Sequence, residues 1–118
     1  MHFTTVVKLV LQDSPETPLA NVKVGLFDRD LVSKDDPLGT AVTDAAGEAR
    51  FQYTSEQFVD LDDKLTGSEF PDLYAVVYDA RDQVVLSTRS DVIPNTARKK
   101  ITIQVTRELA GQHGLTAG

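Results

Sequence analysis

The sequence predicts an all-β fold, an antiparallel β-sandwich of about seven strands with one short helix. Three observations point to it. Short segments alternate apolar and polar residues with a period of two. Turn residues (Asp, Pro, Asn and Gly) separate those segments at short, regular intervals. A single stretch carries helical spacing instead.

The first strand is expected from about Phe3 to Leu11, with Val7, Leu9 and Leu11 on one face. Asp13-Ser14-Pro15-Glu16-Thr17-Pro18 then reads as a turn. A second strand follows from Asn21 to Asp28, with Val22, Val24 and Leu26 aligned. Gly39 to Thr43 is expected to form a hairpin with Glu48 to Tyr53 across Asp44-Ala45-Ala46-Gly47. Leu73 to Asp79 is apolar on both faces, which suits the centre of a sheet. Val84 to Thr88 is expected to pair with it across Ala80-Arg81-Asp82-Gln83. In the last strand, Lys100 to Arg107, Ile101, Ile103 and Val105 alternate with Thr102, Gln104 and Thr106. The helical stretch is Ser55 to Leu65, where Ser55 can cap and Phe58, Leu61 and Leu65 share a face.

Length and composition agree with one globular domain. The chain has 118 residues, 41% hydrophobic and 25% charged, enough for one core and too apolar for a disordered chain. The domain is expected over 1–110, with Gly111 onward (111–118) as a flexible tail. No apolar run approaches the roughly 20 residues of a membrane span, and the N-terminus lacks the pattern of an export signal. By default that places the chain in the cytoplasm. The absence of cysteine excludes disulfides, thiol catalysis and thiolate metal sites.

The net charge of −6 argues against nucleic acid as a partner, because phosphate binding needs a basic face. The acidic set is skewed: of 18 acidic residues 13 are Asp and 5 are Glu. Asp suits loops and short, rigid carboxylate ligation.

The skew is most telling in Leu26-Phe27-Asp28-Arg29-Asp30-Leu31-Val32-Ser33-Lys34-Asp35-Asp36-Pro37-Leu38-Gly39. Asp28 and Asp30 are two apart at a strand end and so point the same way. Five residues later Asp35 and Asp36 return the chain to the next strand. At about 4 Å and an effective dielectric near 20, each like-charge pair would cost roughly 4 kcal/mol, which a divalent cation reverses. Ca²⁺ accepts six to eight oxygens in loose geometry, whereas Mg²⁺ demands a strict octahedron. If the carboxylates splay into water, the pair costs nearer 1 kcal/mol and no ion is required.

The spacing Asp28-x-Asp30, five residues, then Asp36 followed by two residues and Gly39, resembles the third calcium loop of synaptotagmin-type calcium/lipid-binding domains. That likeness implies Asp28, Asp30 and Asp36 as ligands and Val32 at a membrane-inserting tip. Asp35 is a neighbouring addition, and Phe70-Pro71-Asp72-Leu73-Tyr74 echoes the family's first loop in a different chain order, which adds Asp72. A second likeness covers more of the chain. Thr43-Asp44-Ala45-Ala46-Gly47-Glu48-Ala49-Arg50-Phe51 and Pro71-Asp72-Leu73-Tyr74 resemble transthyretin-like and carboxypeptidase-regulatory-like sandwiches. Those are turn and packing residues, so they imply a fold more than a function.

Catalysis is not expected. The hydroxyisourate hydrolase branch of the transthyretin-like fold uses paired histidines, an arginine and a C-terminal Tyr-Arg-Gly-Ser, whereas this chain has only His2 and His113 and ends Leu-Thr-Ala-Gly. Asp60, Asp62 and Asp63 read as a solvated face, and Arg98-Lys99-Lys100 as a guard on an edge strand. The expected function is a non-catalytic, calcium-binding module for adhesion, assembly or domain–domain contact, with a protein partner or a second copy and no small-molecule substrate. Calcium-dependent docking on phospholipid, through Leu31 and Val32, is one alternative. A structural protomer that self-associates through sheet edges without calcium is the other.

Overall fold

The computed structural model describes residues 2–29, 36–54, 73–88 and 100–117. Among the described residues nine strands run in order: β1 (His2–Leu11), β2 (Ser14–Ala20), β3 (Lys23–Asp28), β4 (Asp36–Val42), β5 (Glu48–Thr54), β6 (Leu73–Tyr78), β7 (Val84–Ser87), β8 (Lys100–Val105) and β9 (Thr116–Ala117). Helix α1 (Arg107–His113) lies between β8 and β9. One sheet has the order β5-β1-β2-β9 with β8 also on β1, and the other has β4-β3-β6-β7. The two sheets enclose the core, so the chain is an all-β sandwich.

Alternation explains the core. Val7, Leu9 and Leu11 of β1, with Ile103 and Val105 of β8 beside them in the same sheet, share one buried cluster with Val24 and Leu26 of β3 and Ala75 and Val77 of β6. β6 lies inside its sheet between β3 and β7, as its two apolar faces require. Its outward Tyr74 and Val76 are also buried, and Phe27 stacks on Tyr74 at 5.2 Å.

The structure corrects several expectations. β8 runs parallel to β1, pairing Val6 with Lys100 through to Leu11 with Val105. A parallel pair needs a long crossover, and here nearly the whole sandwich separates the two strands. β4 does not pair with β5. It pairs with β3, while β5 pairs with β1, so Thr43 to Gly47 arches from one sheet to the other.

The stretch read as a turn after β1 contains β2. Its ladder to β1 is irregular, with Val10 opposite Pro18 and Leu11 opposite Ser14, and that irregularity accommodates two prolines. α1 crosses the 110/111 boundary, and β9 pairs with β2. Thr106, read as the end of a strand, is the N-cap of that helix, its side chain accepting from the Leu109 N–H at 3.1 Å. The helix expected over Ser55 to Leu65 lies outside the described residues.

Candidate functional site

The acidic end of the sandwich is built on β3. Val24, Leu26 and Asp28 alternate onto its core face, so Asp28 ends the strand pointing inward and is only 8% exposed. The ladder sets Asp28 between Asp36 on β4 and Leu73 on β6. A register shift between Leu26 and Phe27 precedes the Asp28–Asp36 pair. Two of the expected acidic positions thus stand opposite each other at the strand ends. Asp30, Asp35 and Asp72 lie outside the described residues, as does the side chain of Asp36. Among the described residues no group of three or more His, Cys, Asp or Glu side chains could hold a metal ion.

The surroundings of Asp28 give it consequences across the core. Tyr53 on β5 shares a 2.8 Å hydrogen bond with the Thr5 hydroxyl and stacks on Phe3 at 5.5 Å between centroids. Burial pushes the Tyr53 phenol above its ordinary value; the bond to Thr5 opposes this, and the charge of Asp28 adds to it. Asp28 is therefore a buried carboxylate felt by the opposite sheet. Arg29, next along the chain, carries a buried Nε with no hydrogen-bond partner. A buried polar group of that kind costs free energy.

The opposite end holds a pair that sequence reasoning missed. His113, in the last turn of α1, places Nδ1 at 2.8 Å from Oδ2 of Asp79. The other oxygen of Asp79 accepts the N–H groups of Arg81 at 2.8 Å and Gln83 at 3.0 Å, closing the β6–β7 turn. The available signals were Asp79 two residues before Arg81, which suits an Asx turn, and Thr106 three residues before Leu109. Lys23 lies nearby, 3.0 Å from Asp82 and 5.4 Å from the centroid of the Tyr78 ring.

No family model and no curated protein matches the chain. Among solved structures it is similar to a 9R-lipoxygenase from Cyanothece PCC8801, with a TM-score of 0.54 and 26% identity. The match covers 88% of this chain and 16% of that one. This chain therefore spans only a small part of the length of that lipoxygenase. No helix among the described residues is long and apolar enough to cross a membrane.

Proposed function

We propose that this sandwich is a non-catalytic calcium-binding module that docks its loaded, acidic end on a phospholipid surface. The observation that carries the reading is Asp28: a carboxylate 8% exposed, facing inward at a strand end with Asp36 directly across the ladder. A hard, oxygen-seeking ion with loose geometry suits a set of carboxylates drawn from strand ends and the loop between them. Asp28, Asp30 and Asp36 would be ligands, with Asp35 and Asp72 as additions.

The phospholipid half is favoured by the structural likeness. The similar protein is by name a lipoxygenase, so the comparable fold is used within a chain that works on lipid. Its oxygenase activity does not carry over, because this chain matches only 16% of it. What supports a shared role is the sandwich itself.

The test combines thermal unfolding with co-sedimentation on phosphatidylcholine/phosphatidylserine vesicles, each in EDTA, Mg²⁺ and Ca²⁺. An ion at 100 times its Kd adds about 2.7 kcal/mol, a rise of several degrees for a domain of this size. A Ca²⁺-selective rise with Ca²⁺-dependent pelleting, both lost in Asp30→Ala, is the expected result. A rise without pelleting would redirect the loaded end to a protein partner. Neither effect would remove calcium and favour self-association through sheet edges.

A further inference from the structure

The last elements of the chain are held to the sandwich by few contacts. The chain leaves β8 at Val105 and passes through one extended residue, Thr106 (φ −67°, ψ 150°), into α1. A helix of seven residues is too short to persist alone in water. It buries one residue, Ala110, with Leu109 and Leu115 partly covered. Gly114, in the left-handed region at φ 67°, turns the chain, and the Leu115 N–H closes the helix on the Ala110 carbonyl at 2.8 Å. β9 then adds two residue pairs to β2, Leu19 with Ala117 and Ala20 with Thr116.

Two polar anchors complete the attachment, and they are unequal. Arg107 meets Asp13 at 2.9 Å, but both side chains are more than half exposed, so the pair contributes little. His113 and Asp79 are shielded, at 20% and 7% exposure. Asp79 is already fixed by the turn amides, so it offers a rigid acceptor. A groove of about 230 Å³ separates His113, Gly114 and Leu115 from Lys23, Val42 and Tyr78, leaving that flank loosely packed. Few apolar contacts, exposed backbone and one shielded polar bond characterise a unit that opens apart from the core.

We propose that α1–β9 is a hinged strap, pivoting at Thr106 and latched by the His113–Asp79 hydrogen bond, whose opening uncovers the edge of β2. Asp79 lies in the turn that joins β6 to β7 of one sheet and β2 belongs to the other, so the closed strap also ties the two sheets together at the end remote from Asp28. Opened, it leaves the N–H and C=O groups of Leu19 and Ala20 available for an added strand.

Amide hydrogen exchange on the full chain tests this, comparing wild type with His113→Leu and His113→Asn. In wild type the Ala110, Leu115 and β9 amides should exchange together, faster than those of Val24 and Val77. His113→Leu should speed strap exchange by roughly tenfold or more, the loss expected for a shielded, charge-assisted bond, with core rates unchanged. His113→Asn keeps a donor near the Nδ1 position and should stay near wild type. Strap amides that exchange only with the core would overturn the proposal. So would strap rates unaltered in His113→Leu, or core protection lost there as fully as strap protection.

Discussion

The hydroxyl of Thr43 donates to the main-chain carbonyl of Leu19 at 2.7 Å, tying the arch between the sheets to the end of β2. The same oxygen accepts the Val22 N–H at 2.9 Å, and the Thr43 backbone bonds both Asn21 and Val22. One buried side chain therefore holds the β2–β3 connection against the crossing from β4 to β5. Thr43→Val keeps the shape and removes both side-chain bonds. Stripping buried backbone groups of a partner should cost about 2 to 3 kcal/mol in urea unfolding. Thr43→Ser retains the hydroxyl and should cost less than about 1.5 kcal/mol. Equal losses in the two variants would contradict the hydrogen-bonding account.

Gly47 closes the same arch. Its φ is +75°, its carbonyl accepts the Leu9 N–H at 2.8 Å, and an added Cβ would stand 2.6 Å from the Leu9 carbonyl oxygen. Backbone on one side and Pro18 on the other leave no flexible group to give way. Gly47→Ala should lose about 2 kcal/mol or more, combining a strained φ with a steric clash. A thermal midpoint within a degree of wild type would show that the arch can move.

These two residues show what the sequence could reveal. Thr43, Asp44 and Gly47 read correctly as a turn, because Asp44 accepts the Ala46 and Glu48 N–H groups as turn chemistry demands. The strands the turn joins did not follow, since local chemistry fixes a reversal but not which ladder each arm enters. β1, β6 and β8 were legible because inward Val, Ile and Leu at period two have no other use. β2 was hidden by Pro15 and Pro18, which disfavour a strand everywhere except at an irregular ladder such as this one. α1 was hidden because the alternation of β8 continues to the eye through Thr106 and Arg107, while Gly111 and Gly114 suggest fraying. At the candidate site, Asp28 and Asp36 are backbone partners across the β3–β4 ladder. The inward burial of Asp28, whose charge acts on Tyr53, depends on the opposite sheet, and nothing local announces it.

The Thr5–Tyr53 bond gives a direct measure of that buried end. Tyr53→Phe removes the phenolic hydroxyl while keeping the ring on Phe3. It should cost about 1 kcal/mol in denaturant unfolding. In a double-mutant cycle with Thr5→Val, the two losses should fall short of additive by a comparable amount. Strict additivity would mean the two hydroxyls do not stabilise each other.

Acid should act through Asp79. Its carboxyl is held below the ordinary 3.8, chiefly by the His113 bond, then by the Gln83 and Arg81 N–H groups, with burial opposing. A carboxyl whose value is lower folded than unfolded adds stability that is fully present above the unfolded value. That stability disappears as pH falls through the folded value. Wild-type midpoints should therefore drop steeply below about pH 3.8, with little change between about pH 5 and 7 from this group. Asp79→Asn keeps an oxygen for the turn amides but cannot titrate, so its midpoint should fall less over the same acid range. Asp13, lowered by Arg107, adds acid dependence of the same sign, so Asp13→Asn with Asp79→Asn should flatten the curve further. Parallel acid limbs in wild type and Asp79→Asn would show that the His113–Asp79 pair does not couple folding to pH.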